Sequence, residues 1–427
     1  RQEPVEISEL ETTENNDLSK SSESITVDES IAEDILATQA DTAVVVGTVS
    51  DYLTAKGDAK LYNINLPAGV YLQAQLTTPA NADLDYDLYL LDAEGNILTG
   101  SDYYTYINGT AGTLPEALGY ITSGDTATYY LYVLASEGGS VSESFTLDYS
   151  VSTACDSYEI DESVRQALAF TYGAGGAYIE SRNLSSPIDN DWYVITVPSS
   201  RIYDKLKISA TTASTNTCSV EVYQNVASEG YQMKRVGSGN TISVSSGKYY
   251  IRVSNAKTME NFDDLDIQNY KLSITPILKA TGIVITDLKG SEGLNKVVNY
   301  PGYGAHFRTQ GSGTLTVYGV LTATDSSTGV TYAVGGEQIN GLYYSPAWEA
   351  NNTSANAIRR GTGTTDSSGK FEIDISLPPG IGVYSYYGST STHYFDICGV
   401  SVSPSDDSSI SASETIFHLA YTMYHPF

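Results

Sequence analysis

The sequence predicts an all-β protein: three consecutive β-sandwich domains behind an acidic N-terminal extension. Short runs of β-forming residues recur evenly along the chain, separated by turns rich in Gly, Pro, Asn and Asp. That spacing fits sandwiches rather than βαβ units. The aromatic set is dominated by tyrosine, 35 Tyr against 8 Phe and 2 Trp, a residue suited to half-buried strands with its ring packed and its hydroxyl wet. With 427 residues and 41% hydrophobic content, the chain can fill several separate cores.

Residues 1–42 hold twelve Asp or Glu against two Lys or Arg and no aromatic side chain, the composition of a solvated extension. Within it Val5 and Ile7 alternate with Glu6 and Ser8, a strand-like pattern. The extension is therefore a candidate donor segment that pairs with a neighbouring sheet edge.

Residues 43–152 read as the first sandwich. Its expected strands include Leu61–Leu66, Tyr71–Leu76, Tyr86–Leu91, Tyr129–Val133 and Phe145–Tyr149, with turns such as Pro67-Ala68-Gly69 between them. Residues 153–279 repeat the order. Trp192–Val197 answers Leu61–Leu66, Val220–Tyr223 answers Asp87–Leu90, Tyr249–Val253 answers Tyr129–Val133, and Tyr270–Ile274 answers Phe145–Tyr149. Correspondences in one order indicate an internal duplication.

Asp156-Ser157-Tyr158-Glu159 opens the second copy, and Asp189-Asn190-Asp191-Trp192-Tyr193 begins its first long strand. These residues resemble the bacterial pre-peptidase C-terminal domain, a β-sandwich carried by many exported proteins. In the first copy, Gly57-Asp58, Tyr62, Leu66-Pro67-Ala68-Gly69 and Asp87–Leu90 are similar, but Lys60 stands where the second copy has Asp191. The resemblance implies a non-catalytic module. Because some collagen-binding relatives hold calcium through acidic residues near their start, it also implies a Ca²⁺ site.

Residues 280–427 form a different block, expected to be an Ig- or transthyretin-like sandwich. Thr314–Gly319 is a Gly-bearing strand, and Thr365-Asp366-Ser367-Ser368-Gly369-Lys370-Phe371 reads as a hairpin: Asp366 and Gly369 make the turn, and Phe371 returns the chain to the core. The pattern resembles the carboxypeptidase-regulatory sandwich, a scaffold rather than a catalyst.

Charge narrows the function. With 51 Asp and Glu against 22 Lys and Arg, the formal net charge is −29; such a field repels phosphate backbones and anionic lipid, so nucleic acid is excluded as a partner class. No apolar run reaches the length of a membrane span. The chain starts at Arg1 rather than Met, so the expectation is a secreted or cell-surface protein after signal-peptide removal. Cys155, Cys218 and Cys398 cannot all pair; Cys155 and Cys218 are the candidate bridge.

Reactive motifs are missing from the sequence. His306, His393, His418 and His425 show no zinc-ligand spacing, and there is no Gly-x-Ser-x-Gly elbow. The expectation is a protein that is not an enzyme. Two acidic clusters are candidates for Ca²⁺, which takes six to eight oxygens. The first is Asp83, Asp85 and Asp87, which on an extended strand share one face. The second is Glu159, Asp161, Glu162, Asp189 and Asp191. The alternative for both is a set of solvated acids at strand ends.

The functional expectation is an extracellular structural or adhesive protein that assembles with itself into a filament or layer by strand addition. The competing expectation is a monomeric binding module for an extracellular glycan or matrix protein. Tyr103, Tyr104 and Tyr106, and the group Tyr343, Tyr344 and Trp348, would then supply the contact rings.

Overall fold

The structure is a computed structural model that describes residues 23–24, 44–290, 306–307 and 313–426, apart from 82, 103, 108–109, 112–113, 154, 213–217, 228–231, 239, 256–267, 352–353 and 388–389. It is nearly all β, as the sequence predicts. Two compact units arise: residues 1–199 with 205–275, and residues 200–204 with 276–427.

The first unit contains two sandwiches. The first is built from β1 (Glu23–Ser24), β2 (Val44–Asp51), β3 (Ala59–Leu66), β4 (Tyr71–Thr77), β5 (Asp85–Leu91), β6 (Ile97–Ser101), β9 (Glu116–Ile121), β10 (Ala127–Glu137) and β11 (Phe145–Ser152). Its sheets run β1-β3-β10-β5-β6 and β2-β11-β4-β9. Between them Tyr62, Ile64, Leu72, Leu88, Leu131, Phe145 and Leu147 form a buried core. Alternation along each strand explains that core, since every second side chain points inward.

The second sandwich is built from β12 (Leu168–Ala169), β13 (Ala177–Leu184), β14 (Asn190–Val197), β15 (Tyr203–Thr212), β16 (Cys218–Asn225), β17 (Gln232–Ser238), β18 (Thr241–Ser243), β19 (Gly247–Asn255) and β20 (Gln268–Leu278). Its sheets run β12-β14-β19-β16-β17 and β13-β20-β15-β18, the first order restated strand for strand. Even the short parallel edge recurs: β1 lies parallel on β3, and β12 lies parallel on β14.

One element crosses between the copies. A hairpin of β7 (Tyr104–Ile107) and β8 (Thr110–Ala111) leaves the first sandwich and extends the second one's sheet, β7 pairing in parallel with Gln232–Lys234 of β17.

The second unit packs β21 (Gly282–Gly290), β23 (Gly313–Thr324), β24 (Thr331–Ala333) and β27 (Lys370–Leu377) against a sheet of β22 (His306–Phe307), β25 (Gln338–Tyr344), β26 (Ile358–Thr364), β28 (Tyr384–Tyr387), β29 (Ser391–Pro404) and β30 (Ala412–Tyr424). Gly319 sits opposite Phe371. A Cβ there would fall 2.2 Å from the Phe371 ring, so glycine is what lets that ring lie across the strand. Gly369 takes φ +74° in the turn, and Asp366 Oδ1 accepts the Ser368 and Lys370 amides at 2.8 and 3.0 Å. Ile202 belongs to this unit, packing with Leu278 and Ala280 on its core.

Candidate metal centre

The chain that leaves β11 passes over the outer face of β4 and β9 before entering the second sandwich. Along β4, Leu72, Ala74 and Leu76 point into the first core, so Tyr71 and Gln73 point outward, yet both are buried. What covers them is the linking segment, which brings Glu159 and Glu162 against them. Asp189 and Asp191 arrive from the start of β14, and Arg182 from β13.

Five carboxylates converge. Glu159, Asp189 and Asp191 place ligand oxygens within 4.8 Å of one another, as do Glu159, Asp161 and Glu162. The five acids of the second sequence cluster are thus brought together, with Glu159 common to both groups. Asp161, Glu162, Asp189 and Asp191 are at most 1% exposed.

Donors inside the centre are few. Tyr71 donates to Glu159 Oε2 at 2.7 Å and also contacts Glu162 Oε1, which accepts Gln73 Nε2 at 2.8 Å. Ser185 Oγ donates to Asp189 Oδ2 at 2.8 Å. Arg182 pairs with Asp156 at 2.6 Å, with Asp161, and with Asp191 at 3.1 Å; its Nε donates to Tyr193 Oη at 2.7 Å. One guanidinium therefore faces six acidic side chains.

Burial pushes the whole set upward, Asp189 to about 6, and neighbouring carboxylates reinforce it for the others: Glu159 to about 11, Asp161 to about 7, and Glu162 and Asp191 well above the carboxylate range. Among the described residues, five buried oxygens here lack a hydrogen-bond donor: Gln73 Oε1, Glu159 Oε1, Asp161 Oδ1, Glu162 Oε2 and Asp189 Oδ1. Such atoms are costly to bury unsatisfied. An all-oxygen donor set of this size suits Ca²⁺; zinc would favour His or Cys ligands.

The two copies can be compared at the matching positions. Asp51 on β2 opposes Phe145, as Arg182 on β13 opposes Tyr270. In the first copy Asp51 pairs with Lys60 at 2.7 Å and accepts Tyr62 Oη at 3.0 Å. In the second, Arg182 pairs with Asp191 and donates to Tyr193. The same bridge exists in both sandwiches with its charges exchanged, so Lys60 puts a positive charge where the second copy has the Asp191 carboxylate.

Other sequence candidates fare differently. Asp83, Asp85 and Asp87 do not converge: among the described residues they form no group of three with ligand oxygens close together. Asp83 precedes β5 in an exposed turn, whereas Asp87 is buried and pushed up to about 7 by burial and by Asp85. Tyr343 is buried, its hydroxyl 2.8 Å from His418 Nδ1 and 3.1 Å from Cys398 Sγ, so it presents no ring to a ligand. Tyr344 and Trp348 are half-buried: Tyr344 bonds Glu349, and Trp348 Nε1 donates to the Pro379 carbonyl at 2.9 Å. Tyr104 and Tyr106 lie in β7, a strand paired to the second sandwich. Val5, Ile7 and Tyr103 lie outside the described residues. Cys155 and Cys218 are free thiols.

A second buried polar group joins Ser345, Asp396, Cys398, Tyr343 and His418, with Ser345 Oγ donating to Asp396 at 2.5 Å. Burial drives the Cys398 thiol far above its ordinary range and lowers His418 to about 4. Both shifts oppose a thiolate–imidazolium pair.

No family model matches the chain. A stretch of 74 residues is 36% identical to the uncharacterized protein YlqB of Bacillus subtilis (strain 168), covering 17% of this chain and 46% of that protein; the chain thus spans less than half of that relative. Among solved structures, PliG of Aeromonas hydrophila, a periplasmic inhibitor of g-type lysozyme, is 10% identical over 31% of this chain and 96% of its own, with a TM-score of 0.18. The CUB1-EGF-CUB2 domains of rat MASP-1 are 10% identical over 54% and 97%, TM-score 0.16. The tandem CBM22 domains of Paenibacillus barcinonensis Xyn10C are 10% identical over 56% and 92%, TM-score 0.17. Overlaps this slight say nothing about what the chain binds. No helix among the described residues is long and apolar enough to cross a membrane.

Proposed function

We propose that this chain is a non-enzymatic extracellular structural or adhesive protein whose two N-terminal sandwiches are locked together by Ca²⁺. The observation that carries the reading is the buried acidic centre at their junction, where five clustered carboxylates gather beside a single arginine and Gln73 of the other sandwich bonds to one of them. Without a cation the junction holds carboxylates that repel one another in a water-poor site. With one, Gln73 of the first sandwich and Glu159 through Asp191 of the second share a ligand, and ordering the junction follows from binding. The acidic surface suits a soluble, durable protein in a calcium-rich medium. The resemblance to pre-peptidase C-terminal modules supports the same reading.

Strand addition is the proposed route of self-assembly. In this chain β1 already occupies the edge of β3, the place a neighbour's extension would take. Deleting residues 2–30 and imaging by electron microscopy tests that role; polymers that persist clear the extension of it.

Thermal unfolding in Ca²⁺ and in EDTA tests the lock. A ligand at 100 times its Kd adds about 2.7 kcal/mol, or roughly 5–10 °C for a unit of this size. An unchanged melting temperature removes calcium from the account.

A further inference from the structure

In the second unit, β29 and β30 run past the end of the packed core. Alternation along β29 puts Thr392 and Tyr394 on the same face as the core residues Cys398, Val400 and Val402. Tyr421 of β30 lies opposite Tyr394, Met423 opposite Thr392, and Tyr387 of β28 opposite Thr392. Around the buried Thr392, large side chains on this face remain exposed: Tyr387 is 71% exposed, Met423 50% and Tyr421 48%. Tyr384, one half exposed, projects from the opposite face of β28.

The outer side of β28 pairs with no strand among the described residues. Such an edge is ordinarily blunted by lysine, proline or a bulge. This one reads Tyr-Ser-Tyr-Tyr. The surrounding sequence is also uncharged: residues 375–395 and 415–427 contain no Asp, Glu, Lys or Arg, in a chain of net charge −29. Two copies of so acidic a protein repel one another over most of their surfaces, and a charge-free face is where they can meet.

We infer that the free edge of β28 is an interface to a second copy of this chain, joined by antiparallel β28–β28 pairing about a two-fold axis. That symmetry keeps the same face of each sheet on the same side, so the exposed Tyr387, Tyr421 and Met423 of both copies lie along one continuous surface. A sugar is a poorer occupant. The rings of Tyr394 and Tyr421 are stacked on each other at 4.4 Å, so each spends a face on its neighbour, and a sugar would leave the strand's backbone groups unpaired.

The inference extends the self-assembly part of the proposed function and is independent of calcium. Sedimentation velocity on the full chain, diluted from roughly 100 μM, is the test. The expected result is a reversible dimer that S385E/Y387E weakens roughly tenfold or more, while the control V330E, exposed elsewhere in the same unit, leaves it intact. A wild-type monomer at every concentration overturns the inference, as does a dimer indifferent to S385E/Y387E. A monomer that is instead retarded by neutral polysaccharide in affinity electrophoresis gives the face to a sugar and also overturns it. A chain that melts higher in Ca²⁺ yet stays monomeric sinks the edge and spares the lock.

Discussion

Replacing Arg182 by methionine keeps an unbranched apolar stem and removes the guanidinium from the acidic centre. The guanidinium is fully buried and touches Asp156, Asp161 and Asp191, each at most 4% exposed. Removing one partner of a buried pair leaves charge without compensation and costs about 3–5 kcal/mol. For a unit of this size each kcal/mol moves the midpoint by about 2–4 °C, so Arg182→Met should melt roughly 6–20 °C lower in EDTA. The duplication supplies the control. Lys60 and Asp51 make the charge-exchanged bridge in the first sandwich, but Lys60 is 36% exposed, and an exposed pair contributes about 0.2–1 kcal/mol. Lys60→Met should therefore shift the midpoint by no more than about 4 °C. Calorimetry on both variants, with and without Ca²⁺, reads the difference. Ca²⁺ should restore part of the Arg182→Met loss, because a cation supplies the missing charge. Equal small shifts in the two variants would refute the reasoning, since burial would then not govern the bridge.

Gly119 of β9 lies against the centre, and a Cβ there would come 2.1 Å from Glu162 Oε2. Gly119→Ala should displace Glu162, costing about 1–3 kcal/mol and weakening the Ca²⁺-induced rise in melting temperature; a variant that melts and responds as wild type contradicts the packing. Gln73→Leu keeps the burial and deletes the amide oxygen, so the Ca²⁺ response should shrink although no charge has changed, as calorimetry with added Ca²⁺ would show. In the second unit, burial holds the folded pKa of His418 at about 4 despite the nearby Asp396 carboxylate, below the unfolded value of about 6.5. The unfolded chain thus binds the extra proton first, and stability present above pH about 6.5 is lost as the pH falls toward 4, by roughly 3 kcal/mol. Urea midpoints measured across that window should fall for wild type and fall less for His418→Gln, in which Tyr343, Cys398 and Asp396 still face the site; parallel slopes would remove His418 from the effect.

Strands and duplication were legible because alternation and turn chemistry are local. Trp192–Val197 and Leu61–Leu66 each carry their own inward face, and the topology follows from repeating it. The acids Glu159 to Asp191 were legible as a group because they crowd the start of one domain. Their partners were not. Tyr71 and Gln73 occupy the polar face of Tyr71–Thr77, which reads as a solvent face, and only the passage of the linking segment over it buries them. Arg182 and Gly119 gave no sign because their meaning lies in what packs against them. Asp83-Leu84-Asp85-Tyr86-Asp87 misled because the alternation was extended one residue pair beyond the strand, which begins at Asp85. Tyr343, a candidate contact ring in the sequence, turns inward because Ile339, Gly341 and Tyr343 alternate toward the core along β25.

Tyr71 donates to Glu159 inside the acidic centre, which makes it an antenna for a lanthanide bound in place of calcium. Tyrosine-sensitised terbium luminescence should rise to saturation with the wild-type chain, fall when Ca²⁺ is added, and be lost in Glu159→Gln, the variant of the acid common to both ligand groups. A signal that never saturates, or that survives Glu159→Gln unchanged, would place any cation elsewhere on the acidic surface and contradict a calcium lock between the sandwiches.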